Sequence, residues 1–136
     1  MGDKKYTVLV IEDEDLLLDA VVRKLEMNQI STISCKSGRE AIEILSKANK
    51  LPDAIWLDYY LKDMNGLEFV NALKSHSQWP NIPIVVVSNS ANPEKVTNML
   101  SLGVKKYYLK AENRLDDIIN SIIELIEEEN KSKSTI

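Results

Sequence analysis

Chemically reactive side chains stand at the ends of three apolar runs of the sequence. Four carboxylates at 12–15 follow residues 6–11, Asp58 follows residues 54–57, and Ser88 follows residues 84–87. Carboxylates and a hydroxyl brought to one place could hold a divalent cation and a phosphoryl group. Phosphoryl transfer onto Asp58 is therefore the leading hypothesis for this chain.

The three runs must be positioned by a sheet for this chemistry to occur. Short continuous apolar runs with helical patterns between them are typical of buried parallel strands. Further strands are predicted at 30–35 and 107–109, and strands and helices alternate along the whole chain. This pattern predicts a five-stranded, doubly wound α/β sheet of flavodoxin-like order 2-1-3-4-5, in which the carboxyl ends of the strands form a ligand crevice.

Helix signals fill the intervals between the strands. Helices are predicted at 15–28, from Ser37 onward, at 67–77, from Asn92 to Gly103, and at 114–129. Ser37 and Glu40 have capping-box spacing, Asn92 and Pro93 form a helix start, and Gly103 can end that helix in the left-handed conformation.

The last helix carries an apolar face about 160° wide, more than packing on one sheet requires. Part of this face could serve a partner, but burial within the same domain is the favoured interpretation. Its members are Leu115, Ile118, Ile119, Ile122, Ile123, Leu125 and Ile126.

Size and composition limit the possible functions. The 136 residues fit one domain, with a core at about 6–128 and a flexible tail at 129–136. A net charge of −4 without a basic block argues against direct binding of nucleic acid. No apolar run is long enough to insert in a membrane, so we expect a cytoplasmic protein. Cys35 is the only cysteine, which excludes an intrachain disulfide.

The acidic run after the first strand stands where nucleotide-binding folds place glycines. Phosphate would be repelled there unless a cation intervened, and oxygen ligands without His or Cys favour Mg²⁺, with Mn²⁺ as its substitute. Asp13 and Asp58 are the predicted ligands, and Glu12 would bind directly or through water. Glu14 and Asp15 are instead expected to cap the first helix.

Asp58 would then be the nucleophile that forms an acyl phosphate. Ser88 offers a hydroxyl to a phosphoryl oxygen, and Lys110, at the end of the fifth strand, offers a compact cation to the same group. Each of these residues alone is weak evidence, because turns and surfaces commonly carry them. Their combination in this order is specific.

With these residues, the sequence resembles the receiver domains of bacterial two-component response regulators, of the single-domain type. The resemblance covers about residues 6–128 and is carried by VLVIEDE at 8–14, WLD at 56–58, DMNG at 63–66, VVVS at 85–88 and GVKKYYLK at 103–110. It implies a phosphoacceptor at Asp58, an acidic metal pair at Glu12 and Asp13 with the Tyr60 backbone carbonyl as a further ligand, a switch hydroxyl at Ser88, a phosphate-binding Lys110 and a switch aromatic at Tyr107. It also implies that the chain catalyses only its own phosphorylation and dephosphorylation and is otherwise not an enzyme.

Several positions depart from the family pattern. Ala111 replaces the usual proline after Lys110, so we expect either a trans peptide or a strained loop there. Asn89 replaces a small residue, and it would either narrow access for a phosphodonor or add a hydrogen bond to the phosphate. Tyr60 and Ser90 should flank the phosphoryl group, and Tyr60 is expected to shield the acyl phosphate from water.

The resemblance also implies the partners. A sensor histidine kinase or phosphotransfer protein would donate the phosphoryl group, and a downstream protein would bind the face formed by helix 4, strand 5 and helix 5. Homodimerisation stays open. His76, the only histidine, is expected to be a solvated surface residue, so the chain should accept phosphate rather than relay it through a histidine.

Three alternatives remain. The chain could be an unphosphorylated scaffold, or a receiver fragment of a longer regulator with an output domain. An aspartate-nucleophile hydrolase of the haloacid-dehalogenase type would need a second aspartate where Tyr60 stands, so this alternative is weak.

Overall fold

Five parallel strands in the order β2-β1-β3-β4-β5 form the central sheet of the computed structural model, as predicted. The structure describes residues 5–79, 81–90 and 92–134, and the side chains among these up to residue 131. In chain order the elements are β1 (Tyr6–Ile11), α1 (Asp15–Met27), β2 (Ile30–Cys35), α2 (Gly38–Lys47), β3 (Ala54–Asp58), α3 (Gly66–Ser75), β4 (Ile84–Ser88), α4 (Pro93–Ser101), β5 (Lys106–Leu109) and α5 (Leu115–Ser134).

Side chains that alternate along the strands supply two separate hydrophobic cores. On β1, Leu9 and Ile11 pack with α2, α3 and α4 on one face of the sheet, whereas Val8 and Val10 pack with α1 and α5 on the other. All four of these side chains are fully buried. Burial on both faces explains why the strands have continuous apolar sequences rather than alternating ones.

The apolar face of α5 is used within the domain. Five of its seven predicted members are at most 7% exposed, and the other two, Leu115 and Ile123, are half-buried against the same core. The favoured interpretation of this face was therefore correct, and little of it remains for a partner. Among the described residues, no helix combines the length and apolar character that crossing a bilayer requires.

Most predicted boundaries lie within two residues of the observed ones, and the largest error is at the end of α5. The helix continues to Ser134, through the segment that we expected to be a tail after residue 128, while residues 135 and 136 lie outside the described part. Glu127 and Lys131 stand one helical turn apart, a spacing that favours continued helix. Gly103 has the predicted left-handed φ of 99°.

Two predictions about local contacts were only partly correct. Ser37 caps α2 by accepting a hydrogen bond from the Glu40 amide, but the Glu40 carboxylate accepts from the Lys36 amide rather than closing a reciprocal box. His76 is half-buried and stacks on Trp79, with ring centroids 3.6 Å apart, so it is not a freely solvated side chain.

The loop that connects β3 to α3 is fastened to the start of α2. Asp63 accepts hydrogen bonds from the amides of Gly38 at 3.0 Å and Arg39 at 2.9 Å, which are orphan donors of that helix terminus. Burial acts against ionisation, but these hydrogen bonds hold the pKa of Asp63 below its usual range. The loop that follows the predicted phosphoacceptor is therefore anchored from a distant part of the sequence.

We expect Asp63→Ala to lower the free energy of unfolding by about 1–2 kcal/mol, because two amides at a helix start lose their acceptor. Since the folded-state pKa of Asp63 is lowered, this contribution should be present at neutral pH and should disappear as the pH falls through that pKa. Urea unfolding at neutral and acidic pH measures both effects. Lys62→Ala, an exposed change in the same loop, is the control, and equal stability of the two variants at pH 7 would contradict the anchor.

Candidate functional site

The carboxyl ends of β1 and β3 bring three carboxylates together. Ile11 pairs with Leu57, so the next residues along the two strands, Glu12 and Asp58, lie side by side. Carboxylate oxygens of Glu12, Asp13 and Asp58 lie within 4.8 Å of one another. Glu12 is fully buried and Asp58 is 5% exposed, so this acidic cluster is largely removed from water.

Lys110 is the cation that faces this cluster. Its Nζ lies 3.3 Å from Glu12 Oε1, 3.7 Å from Asp58 Oδ1 and 3.8 Å from Glu14 Oε2. The backbone places it there, because the Lys110 amide donates a 2.8 Å hydrogen bond to the Ser88 carbonyl at the end of β4. The Lys110–Ala111 peptide is trans, which was the first of the two expectations for this bond.

The electrostatics of the cluster favour an additional positive charge. Burial, and after it the neighbouring Glu12 carboxylate, raises the pKa of Asp58 to about 8, although Lys110 acts in the opposite direction. Glu12 Oε1 is buried and forms an ion pair with Lys110, and it accepts no directed hydrogen bond from the described part of the chain. Three close carboxylate oxygens with one lysine therefore fit a small divalent cation that prefers oxygen ligands.

Ser88 lies at the adjacent strand end with its side chain fully buried. Its Oγ accepts a 3.2 Å hydrogen bond from the Ser90 amide, so the hydroxyl proton stays available for another acceptor. Asn89, between them, is exposed. The loop after β4 thus turns back over the switch position predicted from the sequence.

Tyr60 extends from the phosphoacceptor strand toward this loop. Its amide lies 3.4 Å from Asp58 Oδ1, and its hydroxyl lies 3.4 Å from Ser90 Oγ. The Lys95 ammonium of α4 donates a hydrogen bond to the same hydroxyl. The Tyr60 side chain is half exposed, so it lies at the outer boundary of the site.

Tyr107 on β5 is turned toward the same loop. Its hydroxyl donates a 2.8 Å hydrogen bond to the Ser90 carbonyl, and its ring centroid lies 6.4 Å from that of Tyr59. Tyr107 is half-buried rather than fully exposed. The predicted switch aromatic therefore contacts the segment that follows the predicted switch hydroxyl.

The structure thus brings all predicted site residues to one edge of the sheet, and their roles stay predictions. Two features were missed or misassigned. Glu14 occupies the N-cap position of α1, but its side chain makes no capping bond and its carboxylate instead lies near Lys110. Lys95 was not predicted, because nothing in the sequence distinguishes it from other lysines that start a helix.

The sequence of this chain is similar to those of known proteins. The profile of the family described as the response regulator receiver domain matches residues 8–123. The chain is similar to the transcriptional regulatory protein DegU of Brevibacillus brevis, with 27% identity over 124 residues that cover 90% of this chain and 50% of DegU. It is also similar to the sensor histidine kinase CheAY of Helicobacter pylori, with 27% identity over 106 residues that cover 77% of this chain and 13% of CheAY.

Solved structures show the same fold. The receiver domain of the Francisella response regulator 1452 superposes with a TM-score of 0.81 at 24% identity, over 91% of this chain and 98% of that one. By contrast, the chain spans only 13% to 50% of the length of the first curated relatives that it matches. Those relatives carry further segments whose activities are their own.

Burial of Asp58 beside Glu12 should cost stability when no cation is present. Because the folded-state pKa of Asp58 is about 8 and therefore above the unfolded value, stability should fall as the pH rises from about 4 to about 8. In a chelator at pH 8, Asp58→Asn should raise the free energy of unfolding by about 1 kcal/mol or more, with a smaller gain at pH 5.

Urea unfolding of both proteins in a chelator at the two pH values measures this difference. Asp19→Asn is the matched control, since Asp19 is an exposed aspartate of α1. A gain that is the same for both variants, or one that does not grow with pH, would contradict the electrostatic argument.

Proposed function

Because the chain belongs to the response regulator receiver domain family, we propose that it accepts a phosphoryl group on Asp58 and thereby switches a protein-binding surface in two-component signalling. The donor would be a sensor histidine kinase or a phosphotransfer protein. One observation carries the proposal: Asp58 is a buried carboxylate that shares an acidic cluster with Glu12 and Asp13 and lies 3.7 Å from the Lys110 ammonium. Residues 6–128 would form the receiver core of a cytoplasmic protein.

The transfer step assigns a role to each side chain. An Asp58 oxygen attacks phosphorus and forms the acyl phosphate bond while the bond from phosphorus to the donor breaks. Lys110 would move from its ion pairs to the new phosphoryl oxygens, and Ser88 would turn its free proton to another of them. Hydrolysis by water later returns the Asp58 carboxylate, so the chain remains a signalling protein rather than an enzyme with an external substrate.

Glu12, Asp13 and Asp58, with the Tyr60 backbone carbonyl, would hold Mg²⁺ or Mn²⁺. When bound, this cation would neutralise negative charge on the transferring group. Without it, the buried carboxylates would repel that group. The raised pKa of Asp58 and the Glu12 oxygen without a directed hydrogen bond support this assignment, because both conditions are relieved by a cation. Asn89 is exposed at the approach to the site, where it would contact an incoming donor.

The signal would leave through α4, β5 and α5. Movement of Ser88 toward the phosphoryl group alters the loop whose Ser90 carbonyl accepts from Tyr107, and Tyr107 would follow that loop. Nearby, Lys105 and Lys106 are exposed, and the Tyr108 hydroxyl donates to Ser121 of α5. A protein target, including a second copy of this chain, would bind this face, whereas the net charge of −4 argues against nucleic acid.

Intact mass of the protein after incubation with Mg²⁺ and acetyl phosphate tests the proposal. We expect a gain of about 80 Da that requires the metal and disappears in Asp58→Asn and in a chelator. Asp19→Asn is the matched control, because it changes an exposed aspartate of α1, away from the loop that Asp63 anchors, and should still accept phosphate.

An unphosphorylated scaffold would give no adduct and no Mg²⁺-dependent trapping by beryllofluoride. An adduct that persists in Asp58→Asn would place the phosphoacceptor elsewhere. Failure with acetyl phosphate combined with successful beryllofluoride trapping would mean that small donors are blocked at the entrance, where Tyr60 and Asn89 lie.

Tyr60 should lengthen the life of the acyl phosphate by covering Asp58. We expect Tyr60→Gly to shorten the half-life several-fold, about threefold or more, because water gains access to the phosphorus atom. The measurement is loss of the phosphorylated mass with time after the donor is removed. A half-life equal to that of the wild-type protein would refute the shielding role.

A further inference from the structure

We propose that Lys95 is a positioning residue that holds the Tyr60 side chain across the mouth of the site and so sets the lifetime of the acyl phosphate. The mouth is the gap between Asp58 and the segment 88–90. This inference rests on the proposed phosphoacceptor function and extends it to a residue of α4 that takes no part in the transfer itself.

Tyr60 spans the mouth, with its backbone amide on one side and its side-chain hydroxyl on the other. At one end its amide is 3.4 Å from Asp58 Oδ1, and at the other its hydroxyl is 3.4 Å from Ser90 Oγ. The Ser90 amide in turn donates to Ser88 Oγ at 3.2 Å. A tyrosine in this position crosses the direct path between solvent and the two groups that would contact the phosphoryl group.

Lys95 contacts Tyr60 in two ways. Its ammonium donates to the Tyr60 hydroxyl and lies 4.4 Å from the centroid of the Tyr60 ring, within the range of a cation–π interaction. The same ammonium lies 3.4 Å from Ser90 Oγ. One cation therefore ties the Tyr60 hydroxyl and the loop at Ser90 to a single point on α4.

Lys95 is itself fixed by its surroundings. Its ammonium lies 4.6 Å from the ring centroid of Tyr59, a side chain that is 6% exposed. The Tyr59 and Tyr60 rings pack edge to face, with centroids 4.8 Å apart. Asn92 accepts hydrogen bonds from the amides of Glu94 at 2.9 Å and Lys95 at 3.3 Å, so the first turn of α4 is capped where Lys95 begins. The contact is thus made from a capped helix start beside a buried ring.

Without this contact Tyr60 would sample other rotamers, because half of its surface is exposed. One exposed cation–π contact changes an equilibrium by about two- to fivefold, and a charge-assisted hydrogen bond adds to it. Lys95→Met should therefore shorten the acyl phosphate half-life by about three- to tenfold. The lifetime is more informative than the rate of phosphorylation. The lysine charge would attract an anionic phosphodonor directly, whereas water is neutral and is not attracted in this way.

The experiment measures the half-life of the phosphorylated protein in five variants and the wild type, using the whole chain, Mg²⁺ and acetyl phosphate. Lys95→Met should shorten it, and Lys95→Arg, which keeps the cation and its donors, should restore most of it. In a Tyr60→Gly background, Lys95→Met should have no further effect, because the residue it positions is gone. Glu94→Gln removes a charge from the same helical turn and should leave the half-life unchanged.

Two results would overturn the inference. An unchanged half-life in Lys95→Met would do so, and so would a shortening of equal size in the Tyr60→Gly background, since Lys95 would then act independently of Tyr60. If the wild-type protein neither takes up phosphate nor traps beryllofluoride, the proposed function fails, and the contact between Lys95 and Tyr60 is then tested by ¹⁹F spectra of protein labelled with 3-fluorotyrosine. The resonance that Tyr60→Phe removes must move in Lys95→Met, and a resonance that stays in place would overturn the contact.

Discussion

Three carboxylates held around one lysine at the edge of the sheet are the constraint on which the site depends. Buried carboxylates repel one another. The Lys110 ammonium, 3.3 Å from Glu12 and 3.7 Å from Asp58, offsets only part of that repulsion. The fold tolerates this because the backbone places Glu12 and Asp58 after paired residues of β1 and β3, and Lys110 after β5. The excess negative charge would attract a cation, and the bound cation would in turn allow a phosphoryl group to approach.

The sequence predicted the sheet and the position of the site well because both depend on short-range signals. Continuous apolar runs mark strands that are covered on both faces, and the carboxyl ends of parallel strands share one edge of the sheet. Asp58, Ser88 and Lys110 could therefore be placed together from the order of the residues alone. The left-handed Gly103 and the Asn92 cap are equally local features, because each of them depends only on neighbouring residues.

What the sequence could not predict depends on contacts between distant positions. Lys95 and Tyr60 are 35 residues apart, and Asp63 and Gly38 are 25 apart, so neither contact leaves a recognisable spacing. Glu14 carries the negative charge that a helix start favours, yet its carboxylate lies near Lys110, a residue that follows β5. The length of α5 was underestimated because polar residues after 128 fit either a tail or an exposed helix.

The Asp63 anchor makes the two sides of the site differ in the kind of contact that holds them. On the α2 side, two backbone amides of a helix terminus hold the loop through Asp63, and Gly38 packs against the Met64 side chain of that loop. On the α4 side, the wall consists of side-chain contacts made by Lys95, Ser90 and Tyr107. Under the proposed function, a change at Asp58 would therefore act on contacts with the amides of a helix start on one side and on contacts made by side chains on the other. Because side chains can change rotamer without moving a strand or helix, such a change would pass to Tyr107 of β5 more readily than to α2.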